Sequence, residues 1–545
     1  MPQRPLQLHT TRRRFLQGSA SLTAARGAAG LLGALALRQA HAAGGKQTVP
    51  AESPYGPVAP VADGATGLPL LALPEGFSYT TYGWTGDPMA DGQPTPSNHD
   101  GMAAVRTLGG GGSSLLVRNH ERGLVAEASQ QVLAPAMYAT GRVDGIIRIP
   151  FGTLVIRIGA SGVAVSPSDP DPAPFVGYPG GGTTNLLYGA QAWRRSVASL
   201  GGTLGNCAGG PTPWGTWLSC EETIFDFSAI GGRKHGYVFE AAADPRRSIA
   251  EPIVGMGRFV HEAVAVDPAS GHVYQTEDNR NLSALYRYVP ARRVGCIGSL
   301  HRGGRLQAAR IKAIVSQARP APLPETNDLS ALNPDIGDTY ELEWIDIAAP
   351  DADPVPVVNQ PGGVSLGLVS GPTAQALAQG CMRMSRGEGI WFAGGRLFIV
   401  DTAAGVNAGG QPGRGEGAVW ELDLATQRLR ALFVSGNASV GNNPDNITVS
   451  PRGGIVVCED GGLGDQGSRL LGMLAGGEAY TFCRNTIVLD AAQVAAAGKT
   501  VAAGDYRGSE FCGACFDAAG EVLFASIQTP GLTFAIRGPW ARGNL

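Results

Sequence analysis

Six times along the chain a short, glycine-flanked apolar strand begins beside a side chain able to bind a metal. The first members are Asp100 (NHDGMAAV), Cys207 (NCAGG), Glu262 (HEAVAV), Glu388 (GEGIWF), Asn446 (PDNITV) and Glu510 (SEFCGACF). A second strand follows and ends on Glu121, on Glu221, on Glu277 with Asp278, on Asp401, or on Glu459 with Asp460, while the last unit offers only Ser526 and Gln528. Between the paired strands lie turns of D-P-x-S-G or D-x-x-G type, and farther on a third strand carries an aromatic, as in HEAVAVDPASGHVYQTED followed by SALYRYV. A supersecondary unit repeated in this way places equivalent residues at equivalent points around an axis, so the flanking ligands are expected to converge. The pattern predicts an all-β fold: a six-bladed β-propeller with loop and short-helix insertions and a metal cluster at the channel mouth. A β-sandwich would account for the strands but not for ligands recurring at one register.

The 80 Gly and 38 Pro, with few long amphipathic stretches, favour many short strands in one β-rich body over several domains. Segments 52–96, 122–183 and 302–379 fit the repeat poorly and are expected to be insertions on the propeller faces, with a short helix near 308–318. Thr11-Arg12-Arg13-Arg14-Phe15-Leu16, the apolar stretch through Leu31, Leu32, Leu35 and Leu37, and Ala40-His41-Ala42 read as a twin-arginine signal peptide over residues 1–42. The remaining 43–545 is expected to be a single catalytic propeller domain, exported by the twin-arginine machinery to the periplasm or secreted, and monomeric. That pathway carries folded proteins, which suits a metalloprotein assembled before export.

Residues 1–42 hold six arginines and no acid, so their removal takes the formal charge from −3 to −9. So acidic a chain is a poor nucleic-acid binder, and no later stretch is long and apolar enough to span a bilayer. Of the eight cysteines, Cys220, Cys458, Cys483, Cys512 and Cys515 sit inside apolar strand patterns, where a small buried thiol is expected. Cys207 differs because it occupies the position that a carboxylate holds in other units.

Carboxylates crowded into a channel repel one another and raise one another's pKa unless cations compensate. Oxygen-rich clusters select hard cations such as calcium or ferric iron, and a thiolate at one position adds a redox-type transition metal, which predicts a mixed cluster. Arg386 precedes Glu388 by two residues, so on an extended segment both face the same way, and a guanidinium beside bound metal suits a phosphate. An ion pair with a neighbouring acid is the plainer role for it. Asn185, in a Gly-rich segment, is a second phosphate-contact candidate. His99, His120 and His261 stand next to ring carboxylates and so should face the opposite way, packing behind the site. Ser385 and Ser509 precede ligand segments, where turn hydrogen bonds are their expected role, so metal-assisted hydrolysis is favoured over a serine nucleophile.

Asn119-His120-Glu121, Asn206-Cys207-Ala208-Gly209-Gly210, Thr212-Pro213-Trp214-Gly215-Thr216-Trp217, Cys220-Glu221-Glu222, His261-Glu262, Thr276-Glu277-Asp278, Arg386-Gly387-Glu388-Gly389, Pro444-Asp445-Asn446, Cys458-Glu459-Asp460 and Gln528-Thr529-Pro530-Gly531 together resemble the PhoX-type alkaline phosphatases. The resemblance implies a periplasmic propeller with iron (Fe3+) and calcium (Ca2+) that hydrolyses phosphate monoesters to release inorganic phosphate. It implies Cys207 as the thiolate on iron and Glu262, Glu277 and Glu388 as cluster ligands. Glu121, Glu221, Asp278, Asn446, Glu459 and Asp460 would bind calcium, and Arg386 with Asn185 would contact phosphate. Two other readings stay open: a calcium-dependent, lactonase-like propeller hydrolase, and a non-enzymatic propeller clipped together by calcium.

Overall fold

The computed structural model describes residues 45–108, 112–165, 168–293, 295–316, 328–331, 333–357, 367–462 and 464–545. The expected twin-arginine signal over residues 1–42 lies outside the described residues. Antiparallel strands dominate, and α-helix among the described residues is confined to Gly371–Ala378 and Ala491–Ala496. No helix among them is long and apolar enough to cross a membrane.

The repeating units begin with the strands His99–Leu108, Asn206–Pro211, His261–Val266, Gly387–Ala393, Pro444–Val449 and Phe511–Phe516. Each packs against the next and the last packs against the first, so they close a ring. From each a sheet runs outward: the first passes through Ser113–His120 and Gly181–Gly189 to Ala192–Thr203. This radial arrangement is that of a β-propeller. Glycine permits the close approach at the centre. A Cβ at Gly389 would lie 2.7 Å from the Asp445 carbonyl oxygen, and one at Gly513 would lie 2.7 Å from that of Asp100.

The inner hairpins share one irregularity. His99 pairs with His120, but the next pairing, Met102 with Arg118, has skipped a residue on the inner strand. The same slip separates Asn206↔Glu221 from Gly209↔Ser219, His261↔Glu277 from Val264↔Gln275, and Gly387↔Asp401 from Ile390↔Ile399. It recurs between Pro444↔Glu459 and Ile447↔Val457, and between Cys512↔Ser526 and Cys515↔Phe524. A bulge bends the inner strand and re-aims the extra side chain. Here it turns one residue per unit toward the axis.

Two of the three expected insertions are part of the radial sheets. Within 52–96, Ser78–Tyr82 pairs with Leu532–Arg537 and completes the last sheet, so the two ends of the chain close the ring together. Leu71–Pro74 and Val58–Val61 extend the fifth sheet outward. The closure is packed by Tyr55, Phe77, Phe482 and Trp540, with Phe77 and Trp540 edge-to-face at 4.8 Å between centroids. In 302–379, the expected helix near 308–318 is instead the strand Gly304–Ser316, as far as the described residues reach. Its neighbours Tyr286–Pro290 and Thr339–Ile347 supply partners on both sides, and that pairing outweighs the helical propensity of the LQAARIKAIV run. Segment 122–183 stands apart, forming small sheets packed around Ile147, Ile156, Ile158, Phe175 and Phe227.

Candidate metal centre

The bulge fixes which residues face the axis. The inward residue directly follows the last paired position: Asp100, Cys207, Glu262, Glu388, Asp445 and, in the last unit, Gly513. On the second strand the residue beyond the pair is Glu121, Glu222, Asp278, Thr402 or Asp460. Most of these residues, joined by Glu510 and Cys512, form four groups, the last three sharing members, within each of which the ligand atoms lie within 4.8 Å of one another: Glu121–Cys207–Glu222, Glu262–Glu388–Asp445, Asp445–Asp460–Glu510 and Asp100–Glu510–Cys512. Gln528 ties the sixth unit to this ring, its amide donating to Glu510 Oε1 (2.6 Å) and Glu121 Oε2 (2.8 Å).

The preceding residues face into the sheets and are satisfied there. His120 hydrogen-bonds Thr184 Oγ1 (2.9 Å) and the Ser97 carbonyl (3.0 Å). Glu221 accepts from His235 Nδ1 (2.7 Å) and from the backbone N–H groups of Leu204 (2.9 Å), Gly236 (2.8 Å) and Tyr237 (3.2 Å). Glu277 accepts from Thr373 Oγ1 (2.5 Å) and Ala284 N–H (3.1 Å). Asp401 accepts from the N–H groups of Ser385 (3.1 Å) and Arg386 (3.0 Å). Glu459 is held by Arg469, whose Nε and Nη2 donate at 2.7 and 2.6 Å.

The expected ligand set is therefore corrected at several positions. Cys207, Glu262, Glu388, Glu121 and Asp460 lie in these groups, whereas Glu221, Glu277 and Glu459 are turned into the sheets and Glu222 enters the first group. Asn446 points sideways: its Nδ2 donates to Asp445 Oδ1 (2.7 Å) and its Oδ1 accepts from Gly513 N–H (2.7 Å), which leaves Asp445 facing the axis. Asn185 sits on the third strand of its sheet and donates to the carbonyls of Ala242 (2.9 Å) and Ala243 (3.1 Å), away from the centre. Glu222 could have been found by applying to its strand the parity already applied to the histidines, whereas Asp445 sits in a bulge, where simple alternation breaks down. His99, His120 and His261 are buried behind the ring, and burial lowers all three pKa values, that of His261 to about 3.

Arg386 is aimed by its neighbours. Its Nε donates to Asp278 Oδ1 (2.8 Å), its Nη2 contacts Asp278 Oδ2, and the same nitrogen lies 3.0 Å from Glu388 Oε1. Burial works to lower its pKa, but Glu388 and Asp278 outweigh that and keep the guanidinium charged. Around it the acids are strained electrostatically. Burial first, then neighbouring carboxylates, raises the pKa values of Asp100, Glu222, Glu262, Glu388 and Glu510. Burial brings Glu121 and Asp445 to about 7, and it also lifts the Cys207 thiol, with Asp100 and Glu262 adding to the effect. Both carboxylate oxygens of Glu262 are buried without a hydrogen-bond partner among the described residues. Such a centre calls for positive charge.

The family profile of alkaline phosphatase PhoX matches residues 53–531. The fold is similar to that of Pseudomonas fluorescens PhoX, solved in complex with vanadate, a transition state analogue, at 17% identity and a TM-score of 0.56, covering 92% of this chain and 99% of that one. A gluconolactonase from Xanthomonas campestris aligns over 92% of this chain and 99% of its own, at 12% identity and a TM-score of 0.33. No curated protein sequence matches the chain. With most of its length matched by that profile, the chain belongs to the PhoX family of alkaline phosphatases.

Proposed function

We propose that residues 43–545, freed of the twin-arginine signal 1–42, form a single six-bladed catalytic propeller that hydrolyses phosphate monoesters in the periplasm or outside the cell. The cofactors of this reading are iron and calcium. The observation that carries it is the convergence of eight carboxylates and two thiols in four such groups, beside a charged arginine.

The donor set fits metal ions. Within each group the ligand atoms lie close enough together to share one cation at bond lengths of about 2.4 Å. The orphaned Glu262 carboxylate is what a cation would satisfy. Cys207 with Glu121 and Glu222 would hold iron, and the all-oxygen groups around Glu262, Glu388, Asp445, Asp460 and Glu510 would hold calcium. Bound there, the cations would supply Lewis acidity toward the phosphoryl oxygens.

Arg386 gives the phosphate an oriented donor. Asp278 and Glu388 occupy its Nε and Nη2, which fixes the plane of the guanidinium, and Nη1 carries no hydrogen bond among the described residues. A preset donor of this kind stabilises charge developing on the equatorial oxygens without reorganising. Glu388 beside it and Glu262 are buried, and a less watery surrounding on that side strengthens the interaction.

Hydrolysis of p-nitrophenyl phosphate at alkaline pH, with elemental analysis of the same sample before and after chelation, tests this reading. Activity that tracks iron and calcium supports it. A calcium-loaded, iron-free protein that hydrolyses lactones or other esters but no phosphate ester would transfer the site to a lactonase-like enzyme. A fully metallated protein with no hydrolysis would leave a structural propeller.

A further inference from the structure

A cleft of about 420 Å³ opens beside the centre, and two of its lining residues, Glu222 and Asp278, belong to the acidic ring. The rest of its wall is mostly apolar: Val163 and Ala164 from the 122–183 insertion, Ile224 and Phe225 after the strand Thr216–Glu221, Val260, and Leu368. Ala164 belongs to the core of the small insertion sheets, and Phe225 and Leu368 pack against that core, so the wall is held from behind. Val163 stays 58% exposed at the rim. Thr223 also lines the cleft, and its buried hydroxyl has no partner among the described residues.

An apolar wall continuous with a cluster of carboxylates has no role in holding metal or phosphate. The geometry explains it in another way. Arg386 rests on Asp278, so a phosphoryl group that meets Arg386 and the metals sits where the ring and the cleft join. The organic half of the ester then leaves toward the apolar wall. We propose that this cleft is the leaving-group subsite, and that it selects phosphate monoesters of apolar alcohols, with ring-bearing or long alkyl groups, over small polar ones. The inference rests on the phosphatase reading and adds the substrate class. It also gives the 122–183 insertion a function, since Val163 and Ala164 form one wall.

The test compares 2-phenylethyl phosphate with ethyl phosphate, whose leaving alcohols have similar acidity, so that chemistry is held constant and only the cleft is probed. In the wild-type metallated enzyme the kcat/KM ratio should favour the phenylethyl ester by about tenfold or more, the gain expected for burying part of a ring. Leu368→Asn should collapse that ratio toward one, and the exposed position allows Val163→Phe to raise it without a folding cost. The inhibition constant for inorganic phosphate should stay within about twofold in both variants, because the phosphoryl site is untouched. A wild-type ratio near one overturns the proposal. So does a ratio that neither variant moves, or a phosphate inhibition constant that rises in step with the loss. A wild-type enzyme that hydrolyses neither ester refutes the phosphatase reading itself, a result distinct from hydrolysis of both without preference.

Discussion

Glu221 and Glu222 are adjacent and chemically identical, yet the bulged register assigns them opposite work, and substituting each with glutamine separates the two roles. Glu221 is buried and accepts four hydrogen bonds from His235, Leu204, Gly236 and Tyr237. Glutamine keeps one acceptor oxygen and turns a donor toward groups that are donors themselves. Hydrogen bonds to a charged acceptor contribute about 1.5–3 kcal/mol each, so losing one side of the carboxylate should cost about 3 kcal/mol or more. With an unfolding entropy of about 2.1 cal/mol/K per residue, a body of about 500 residues then melts about 3 °C lower. Glu222→Gln removes a buried charge that Asp278, Glu121 and Glu388 already oppose, so the metal-free protein should melt at an unchanged or higher temperature. Its metal content and activity should fall, because Glu222 belongs with Glu121 and Cys207. The assay is thermal melting after chelation, paired with elemental analysis of the untreated samples. Loss of metal in Glu221→Gln with an unchanged melt, or a lowered melt in Glu222→Gln with metal retained, would refute the register argument.

Arg469 and Glu459 are both essentially inaccessible, at 1% and 0% exposure. Arg469→Met should therefore destabilise the chain by about 3–5 kcal/mol by leaving a buried carboxylate short of partners, and a denaturant midpoint shift worth less than about 1 kcal/mol would contradict that. Gly513→Ala should weaken metal binding as well as stability, since φ is +60° there and a Cβ would press on the Asp100 carbonyl; wild-type metal content would show that the sixth strand can retreat. In the metal-free protein, Glu121 and Asp445 have pKa values raised to about 7. A raised acid binds its proton more tightly folded than unfolded, so the stability it contributes is complete below the ordinary carboxylate pKa and is lost as pH rises toward 7. Chelated protein should melt progressively lower from about pH 4.5 to about pH 7, and a melt that rises over that range would show the acids to be paired in some other way.

The repeat was legible because each unit writes its ligand, turn and strand locally, and the all-β reading needs nothing more. Parity along a strand was also legible where it was used, as for His99, His120 and His261. The bulge was not. It adds one residue to each inner strand and leaves no mark in composition, so simple alternation does not separate Asp445 from Asn446. The closing strand Ser78–Tyr82 could not be recognised either, because its partner Leu532–Arg537 lies at the opposite end of the chain. Gly304–Ser316 reads as helix in isolation, and the strands on either side of it decide otherwise. For Asn185 the resemblance implies a phosphate contact, whereas its segment is the strand Gly181–Gly189 and its amide donates to backbone carbonyls of the neighbouring sheet.

The central claim is that one recurring bulge turns Cys207 and the ring carboxylates onto a shared set of metal ions. Diffraction from crystals of the metallated protein, collected on both sides of the iron absorption edge, tests it most directly. The account predicts an anomalous peak within bonding distance of Cys207 Sγ and of carboxylate oxygens from Glu121 and Glu222, with further ions among Glu262, Glu388, Asp445, Asp460 and Glu510. A metallated, active protein whose peak lies away from Cys207, or whose ions are held by Glu221, Glu277 or Glu459, would contradict it.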